Sequence, residues 1–146
     1  MAQVTLWGAD EFARILFSQA ALSPNEYYLA LVSTGNTPDA FVTGMDIVEP
    51  EAASYVRVLI PNDQTNWQSS LPAVYSNALE VRFPTATESW GGITYWALCS
   101  AATEGYVYLW GEFVNQFAVG EGDTVIIDAE SLQLEFTDIY EEISVE

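Results

Sequence analysis

The sequence has no histidine and no lysine, and its three basic residues are all arginine. Without histidine, catalytic triads that use an imidazole base and most zinc sites are excluded. The single cysteine, Cys99, cannot supply a metal cluster or an internal disulfide, and its position in an apolar run predicts a buried thiol. No stretch of about 18 uninterrupted apolar residues is present, so no membrane-spanning helix is predicted.

The charge of the chain is strongly one-sided, since 21 acidic and 3 basic residues give a formal net charge of −18. Proteins that bind nucleic acid neutralise phosphates with clustered Lys and Arg, whereas Arg14, Arg57 and Arg82 are far apart in the sequence. We therefore predict no nucleic-acid partner and no membrane partner. The same charge predicts that attachment to a protein partner depends on salt, because ions screen charges.

The length of 146 residues predicts a single domain over residues 1–146, because domains most often contain roughly 100 to 150 residues. An N-terminal helix is predicted at about 9–21, where Asp10 and Glu11 favour the first turn and a Ser-Pro pair ends the element. Its apolar positions recur at helical spacing, at Phe12, Ile15, Leu16 and Ala20. An acidic C-terminal tail is predicted at about 137–146.

The rest of the chain contains short β-prone runs separated by turn residues. The predicted strands are at 27–33, 55–61, 78–84, 92–101, 105–113, 124–128 and 132–136, with a weaker one at 116–119. This pattern predicts a mainly β fold, an antiparallel β-sandwich or jelly-roll of seven to eight strands with one N-terminal helix.

Residues 94–111 are predicted to form an antiparallel hairpin that is apolar on both faces, with Tyr106, Tyr108 and Trp110 on the same face. One face of the hairpin can fill the core. The other needs a cover, either the N-terminal helix or a neighbouring protein chain, because exposed apolar patches usually mark interfaces. The predicted interface residues are Phe12, Leu16, Trp96, Tyr106, Tyr108 and Trp110.

Other candidate sites carry weaker signals. Arg57 and Arg82 lie between apolar residues, where a structural ion pair is predicted in preference to ligand binding. The loop at 120–124 is the best calcium candidate, but it lacks the alternating acidic ligand order, and a hairpin turn explains its glycines. We predict no enzyme activity, no metal and no cofactor. Trp67 and Trp90 are possible stacking surfaces for sugar rings, which leaves a carbohydrate-binding module as an alternative function.

The order of five segments resembles that of small virion structural proteins of tailed bacteriophages. These segments are a Tyr-x-x-Leu strand at 28–31, Tyr-Val-Arg at 55–57, Phe-Pro-x-Ala-x-x-x-Trp-Gly at 83–91, the apolar hairpin at 94–111 and Gly-Asp-Thr at 122–124. The resemblance covers about residues 12–136. The turn at 100–103 and the acidic tail depart from the family pattern.

This resemblance implies a virion protein that is assembled in the host cytoplasm. The expected function is a capsid cement or decoration protein that clamps neighbouring major capsid subunits through apolar strand surface. The alternative within the same class is a structural protein associated with a tail or head fibre. The expected partners are other copies of the chain and the major capsid protein or another virion protein.

Overall fold

The computed structural model of the protein describes residues 2–17 and 24–135. Its elements, in chain order, are β1 (Ala2–Val4), α1 (Leu6–Leu16), β2 (Glu26–Ser33), β3 (Val58–Pro61), β4 (Trp67–Leu71), β5 (Val74–Asn77), β6 (Val81–Arg82), β7 (Gly91–Cys99), β8 (Val107–Val119), β9 (Ile126–Ile127) and β10 (Gln133–Glu135). The predicted mainly β, antiparallel fold with one helix near the N-terminus is confirmed. The acidic tail at 137–146 lies outside the described residues.

The number of strands is higher than predicted, because β1, β4 and β5 lie in segments without a strand signal. The segment that contains β4 is rich in Asn, Gln and Ser, a composition that favours a polar loop over a strand. In the structure it pairs with β5, and the weak strand at 116–119 is the end of the long strand β8. Cross-strand pairing therefore overrides the low β-propensity of this polar segment.

A five-stranded antiparallel sheet forms the centre of the fold, in the order β1-β8-β7-β2-β3. Two smaller sheets have the orders β10-β5-β4 and β6-β9. The middle strand β7 pairs with β2 on one side and with β8 on the other, the latter as the predicted hairpin. All positions from Ile93 to Cys99 are buried, which explains why both faces of this strand are apolar.

One face of the five-stranded sheet packs against residues of the two smaller sheets and their connections. This larger core contains Leu29, Leu31, Trp96 and Leu98 from the central sheet and Val81, Phe83, Ile127 and Leu132 from the opposing layer. Phe83, Leu29 and Leu31 are among the largest side chains that are fully buried. This layer of apolar contacts is the main source of stabilisation, because the free energy gained on folding scales with the apolar area removed from water.

The opposite face of the central sheet is covered by the loop after β2. Val42 and Ile47 from this loop pack against Ala97, Cys99 and Val107. The predicted cover by the helix was wrong, because Val42 and Ile47 from a turn-rich segment pack on this face instead. Cover of the remaining exposed surface by a neighbouring chain stays a prediction. The predicted burial of Cys99 is confirmed, and burial raises the pKa of its thiol to about 12.

A bulge in β8 separates aromatic residues that the sequence pattern placed together. The register of β8 on β7 shifts between Leu98 and Cys99, which leaves Tyr108 as an extra residue. Tyr108 therefore packs with the larger core, whereas Trp110 packs on the opposite face. The prediction that Tyr106, Tyr108 and Trp110 share one face was wrong, because one inserted residue changes which face the following side chains occupy.

The helix begins at Leu6, earlier than the predicted start at 9, because Thr5 caps it. The Thr5 hydroxyl accepts a hydrogen bond from the backbone N–H of Gly8 at 3.0 Å. Gly8 is required by close packing, since a Cβ there would lie 2.1 Å from the carbonyl oxygen of Tyr108. The helix is therefore held directly against β8 through its first turn.

The helix ends earlier than predicted. Leu16 is its last residue and Phe17 caps its C-terminus. Asp10 and Glu11 do not lie in the first turn, as the early start at Leu6 moves them to the next turn. The remaining residues of the predicted helix, at 18–21, lie outside the described residues.

Arg57 is buried and donates all five of its N–H groups. Two go to the carboxylate of Glu49, with Nε–Oε1 at 3.0 Å and Nη2–Oε2 at 2.8 Å. The other three go to backbone carbonyl oxygens at 2.8 to 2.9 Å, those of Gly44, Ala101 and Glu104. This network, which we call the Arg57 clamp, ties the loop that covers the second face to the turn between β7 and β8.

The two predicted ion pairs are both present, in opposite environments. In the Arg57–Glu49 pair the side chains are 3% and 20% exposed, whereas in the Arg82–Glu80 pair, at 3.2 Å, they are 61% and 55% exposed. Burial alone would lower the pKa of Arg57, but the hydrogen bond and charge of Glu49 outweigh it and raise that pKa. A buried pair and an exposed pair of the same chemistry therefore exist in one chain.

Candidate functional site

An apolar groove of about 360 Å³ lies beside the helix, between α1 and the sheet formed by β4, β5 and β10. Ligand and docking pockets commonly have volumes of roughly 300 to 1,000 Å³. The groove is lined mainly by aromatic and aliphatic side chains, with Glu11 and Asn62 as polar members. Its chemistry favours an apolar partner group over a charged one.

Each element around the groove contributes one to three side chains. Trp96 and Leu98 come from the buried strand β7, and Tyr108 comes from the bulge in β8. Further apolar and aromatic lining is supplied by α1, β2, β4, β5 and β10, through Phe12, Ile15, Tyr27, Trp67, Tyr75 and Leu134. The groove therefore depends on the bulge, because the bulge places Tyr108 on the groove side of the sheet.

Three aromatic rings fix one another in edge-to-face geometry. The ring of Tyr27 lies 5.9 Å from that of Trp67 at 88°, and 5.7 Å from that of Tyr108 at 81°. The indole N–H of Trp67 donates to the carbonyl oxygen of Pro61 at 3.1 Å. These contacts hold the aromatic surface of the groove in a defined shape before any partner arrives.

The hydroxyls of Tyr27 and Tyr108 in the groove have raised pKa values and stay protonated at neutral pH. Burial raises the pKa of Tyr27, and the neighbouring Tyr108 and Glu11 act in the same direction. The pKa of Tyr108 is also raised, again by burial first and then by Glu11. Both groups can donate a hydrogen bond, but neither supplies charge to the site.

The groove is not sealed, because some lining residues keep solvent-exposed surface. Tyr75 is 51% exposed and Ile15 is 39% exposed, whereas Trp96 is 3% exposed. Trp96 thus forms the base of the groove, and Tyr75 and Ile15 form its edges. A partner side chain that enters would contact the edges first.

Four of the eight residues singled out in the sequence meet at this groove: Phe12, Trp67, Trp96 and Tyr108. Tyr106 lies elsewhere and packs its ring on Trp7 at 5.0 Å. Trp110 lies on the second face of the sheet, with its ring 5.8 Å from that of Tyr95. Leu16, at the end of the helix, is 74% exposed.

The sugar-stacking role considered for Trp90 does not fit its position. Trp90 is 5% exposed, and its indole N–H donates to the hydroxyl of Ser54 at 2.9 Å. Its ring packs against Tyr55 and Phe83 inside the larger core. Trp67 is half-buried, so the structure provides no pair of exposed indole faces from these two residues.

Sequence reasoning missed several groove residues. Tyr27 and Leu134 lie in predicted strands, but nothing in the sequence shows that these strands come together. Tyr75 lies in β5, for which no strand was predicted. The available signal was the adjacent β-prone pair Val74 and Tyr75, which is too short to distinguish a strand from a loop.

Within 2–17 and 24–135, no group of three or more His, Cys, Asp or Glu side chains is placed to hold a metal ion. The calcium candidate at 120–124 is a turn in which Gly122 has a φ of 88°. In this turn the carboxylate of Asp123 accepts a hydrogen bond from the backbone N–H of Gly120 at 2.8 Å. No helix in the described part of the chain is long and apolar enough to cross a membrane.

Comparison with known proteins gives one family. The family model described as podophage GP4 fiber I protein gp80 matches residues 7–135, which include nearly all of α1 and every strand from β2 to β10. No curated protein matches the chain. The resemblance to small virion structural proteins is confirmed by this match. The chain therefore belongs to the podophage GP4 fiber I protein gp80 family, a family of small structural proteins of tailed-phage virions.

Proposed function

We propose that the chain is a non-enzymatic structural protein of the fibre apparatus of a tailed-phage virion. The family match over residues 7–135 carries this proposal. The composition supports it, because a chain without histidine and with a single buried cysteine has few of the groups used in nucleophilic or acid–base catalysis. The groove supports it too, because apolar and aromatic surface is suited to adhesion.

In this proposal the groove receives apolar side chains of a neighbouring virion protein. Each Å² of apolar surface removed from water contributes roughly 25 cal/mol before the costs of association. Aromatic anchors at the centre of an interface carry most of the binding energy. The rings of Tyr27, Trp67 and Tyr108 are already fixed by one another, which lowers the entropy lost on binding.

The head-decoration function expected from the sequence stays a prediction within the same class. Fibre and decoration proteins occupy different positions in the virion, so the position of the chain in the particle distinguishes the two functions. We suggest labelling the chain in intact virions with an antibody or a gold-binding tag and imaging by electron microscopy. Label on fibres supports the proposal, whereas label spread over the head shell supports decoration and contradicts the fibre function.

The role of the groove is testable with a pair of matched tyrosines. Tyr75 and Tyr106 are each 51% exposed, but only Tyr75 lines the groove. We expect Tyr75→Ala to lower incorporation into virions roughly tenfold, since loss of an anchoring aromatic costs on the order of 1 to 2 kcal/mol. Tyr106→Ala is the control and should be incorporated normally. Equal incorporation of both variants would contradict attachment through the groove.

A further inference from the structure

The groove contains one carboxylate whose charge has no counter-ion. Glu11 is partly buried on the helix side of the groove. In the part of the chain that the structure describes, its carboxylate makes no hydrogen bond and no ion pair. By contrast, the side-chain amide of Asn62, which also lines the groove, donates to the carbonyl oxygen of Pro24 at 2.7 Å. Withdrawing a charge from water without a partner is costly, so Glu11 favours a cation that arrives from outside.

Two tyrosines lie close to this carboxylate. Burial raises the pKa of Tyr27 and of Tyr108, and the charge of Glu11 adds to the rise at both. The rings of the two tyrosines are 5.7 Å apart, and Trp96 and Leu98 supply further lining beside them. A carboxylate next to aromatic and aliphatic surface suits an arginine side chain, because the guanidinium pairs with carboxylates and stacks on rings while its aliphatic stem packs on apolar surface.

The chain itself does not supply this cation. It has no lysine and only three arginines, all of which lie in the described ranges. Arg57 and Arg82 are paired with other acids, and no ion pair joins Arg14 to Glu11 within those ranges. A net charge of −18 also attracts basic surface of a partner. Charge complementarity therefore indicates a partner that is basic where it meets the groove.

We propose that the groove docks an apolar segment of the neighbouring virion protein that carries an arginine, and that the guanidinium of this arginine pairs with the carboxylate of Glu11. The apolar side chains of the segment occupy the aromatic and aliphatic part of the groove. The charged group stays on the helix side, where the pair replaces the water that each ion loses. This inference rests on the proposed function and specifies the chemistry of the partner that the groove accepts.

Two small probes of the same size test the pairing in the purified chain. The n-butylguanidinium ion carries the head group of arginine, and n-butylurea is its neutral isostere. We expect butylguanidinium to bind at least about threefold more tightly, because the ion pair adds to the apolar contacts that both probes make. Changes in NMR chemical shift at Tyr27 and Trp67 locate the bound probe in the groove. Equal affinity for the two probes, or no binding of either, would overturn the proposal.

Two neighbouring acids on the helix show whether Glu11 is responsible for the preference. Glu11→Gln should bind both probes equally, whereas Asp10→Asn, which removes an exposed charge outside the groove, should keep the preference for butylguanidinium. A preference that survives in Glu11→Gln would assign it to the overall negative charge and refute the pairing. Self-association of the unmodified chain that sedimentation detects and Glu11→Gln abolishes would identify a second copy as the occupant and also refute it. Melting curves verify that both variants are folded.

Incorporation into virions separates this inference from the proposed function. We expect Glu11→Gln to lower incorporation at least about threefold and Asp10→Asn to leave it unchanged. If Tyr75→Ala lowers incorporation and Glu11→Gln does not, attachment through the groove stands and only the arginine partner is contradicted. If neither variant lowers incorporation, attachment through the groove is contradicted together with this inference.

Discussion

The Arg57 clamp offers the sharpest test of what holds this fold together. In Arg57→Met, a side chain of similar length loses all five donated hydrogen bonds. The carboxylate of Glu49, 20% exposed, then keeps only the hydroxyl of Tyr55, at 2.6 Å, from its former partners. Removing one member of a buried ion pair typically costs about 3 to 5 kcal/mol, because the other charge stays buried without compensation.

Urea unfolding followed by circular dichroism measures this loss. For a domain of this size, 1 kcal/mol shifts the melting temperature by roughly 2 to 4 °C, so Arg57→Met should melt on the order of 10 °C lower. Arg82→Met is the matched control, and its exposed pair should contribute about 0 to 1 kcal/mol. Arg57→Lys should recover little of the lost stability, because an ammonium group cannot reproduce the planar set of donors that the guanidinium of Arg57 offers. A loss below about 1 kcal/mol for Arg57→Met would refute the assigned role of the clamp.

Three further predictions concern packing and pH. Gly8→Ala should lower the free energy of unfolding by about 1 to 3 kcal/mol, because its Cβ would lie 2.1 Å from a carbonyl oxygen; Gly120→Ala, whose nearest neighbour is at 3.5 Å, should melt almost unchanged. The Cys99 thiol, with its pKa raised to about 12 by burial, should react with a disulfide reagent at pH 8 only after denaturant is added, and rapid reaction of the native protein would contradict its burial. The pKa of Tyr55 is raised by burial and by Glu49, so the unfolded chain loses this proton first as pH rises. The free energy of unfolding should therefore fall above about pH 10, the usual tyrosine pKa, and tyrosine absorbance at 295 nm should show one group that ionises only on unfolding.

Four of the five strands of the central sheet were predictable from the sequence, but β1 and the details of the register were not. The runs that became β2, β7 and β8 are long, apolar and bounded by turn residues, so both their type and the hairpin between β7 and β8 were predictable. The bulge at Tyr108 was not, because one extra residue leaves the local composition unchanged and alters only the register. That extra residue decides which aromatic side chain reaches the groove.

The cover of the second face and the start of the helix were missed for related reasons. Val42 and Ile47 lie in very short apolar stretches among turn residues, and no periodicity connects them to a face of the sheet. Gly8 lowers helix propensity, yet the structure needs it for contact with Tyr108. In both cases tertiary contacts determine the role of the residue. A prediction from local sequence pattern does not include these contacts.

The pairing of β1 with β8 has a consequence for synthesis of the chain. The Thr5 hydroxyl donates to the carbonyl oxygen of Val107, 102 residues later in the sequence. At translation rates of roughly 5 to 20 residues per second, the first strand waits on the order of 5 to 20 s for its neighbour to emerge from the ribosome. During that interval β2 is exposed with four consecutive core residues, from Leu29 to Val32. We expect nascent chains of this protein to bind chaperones, and shortened products that end before β8 to be removed by proteolysis.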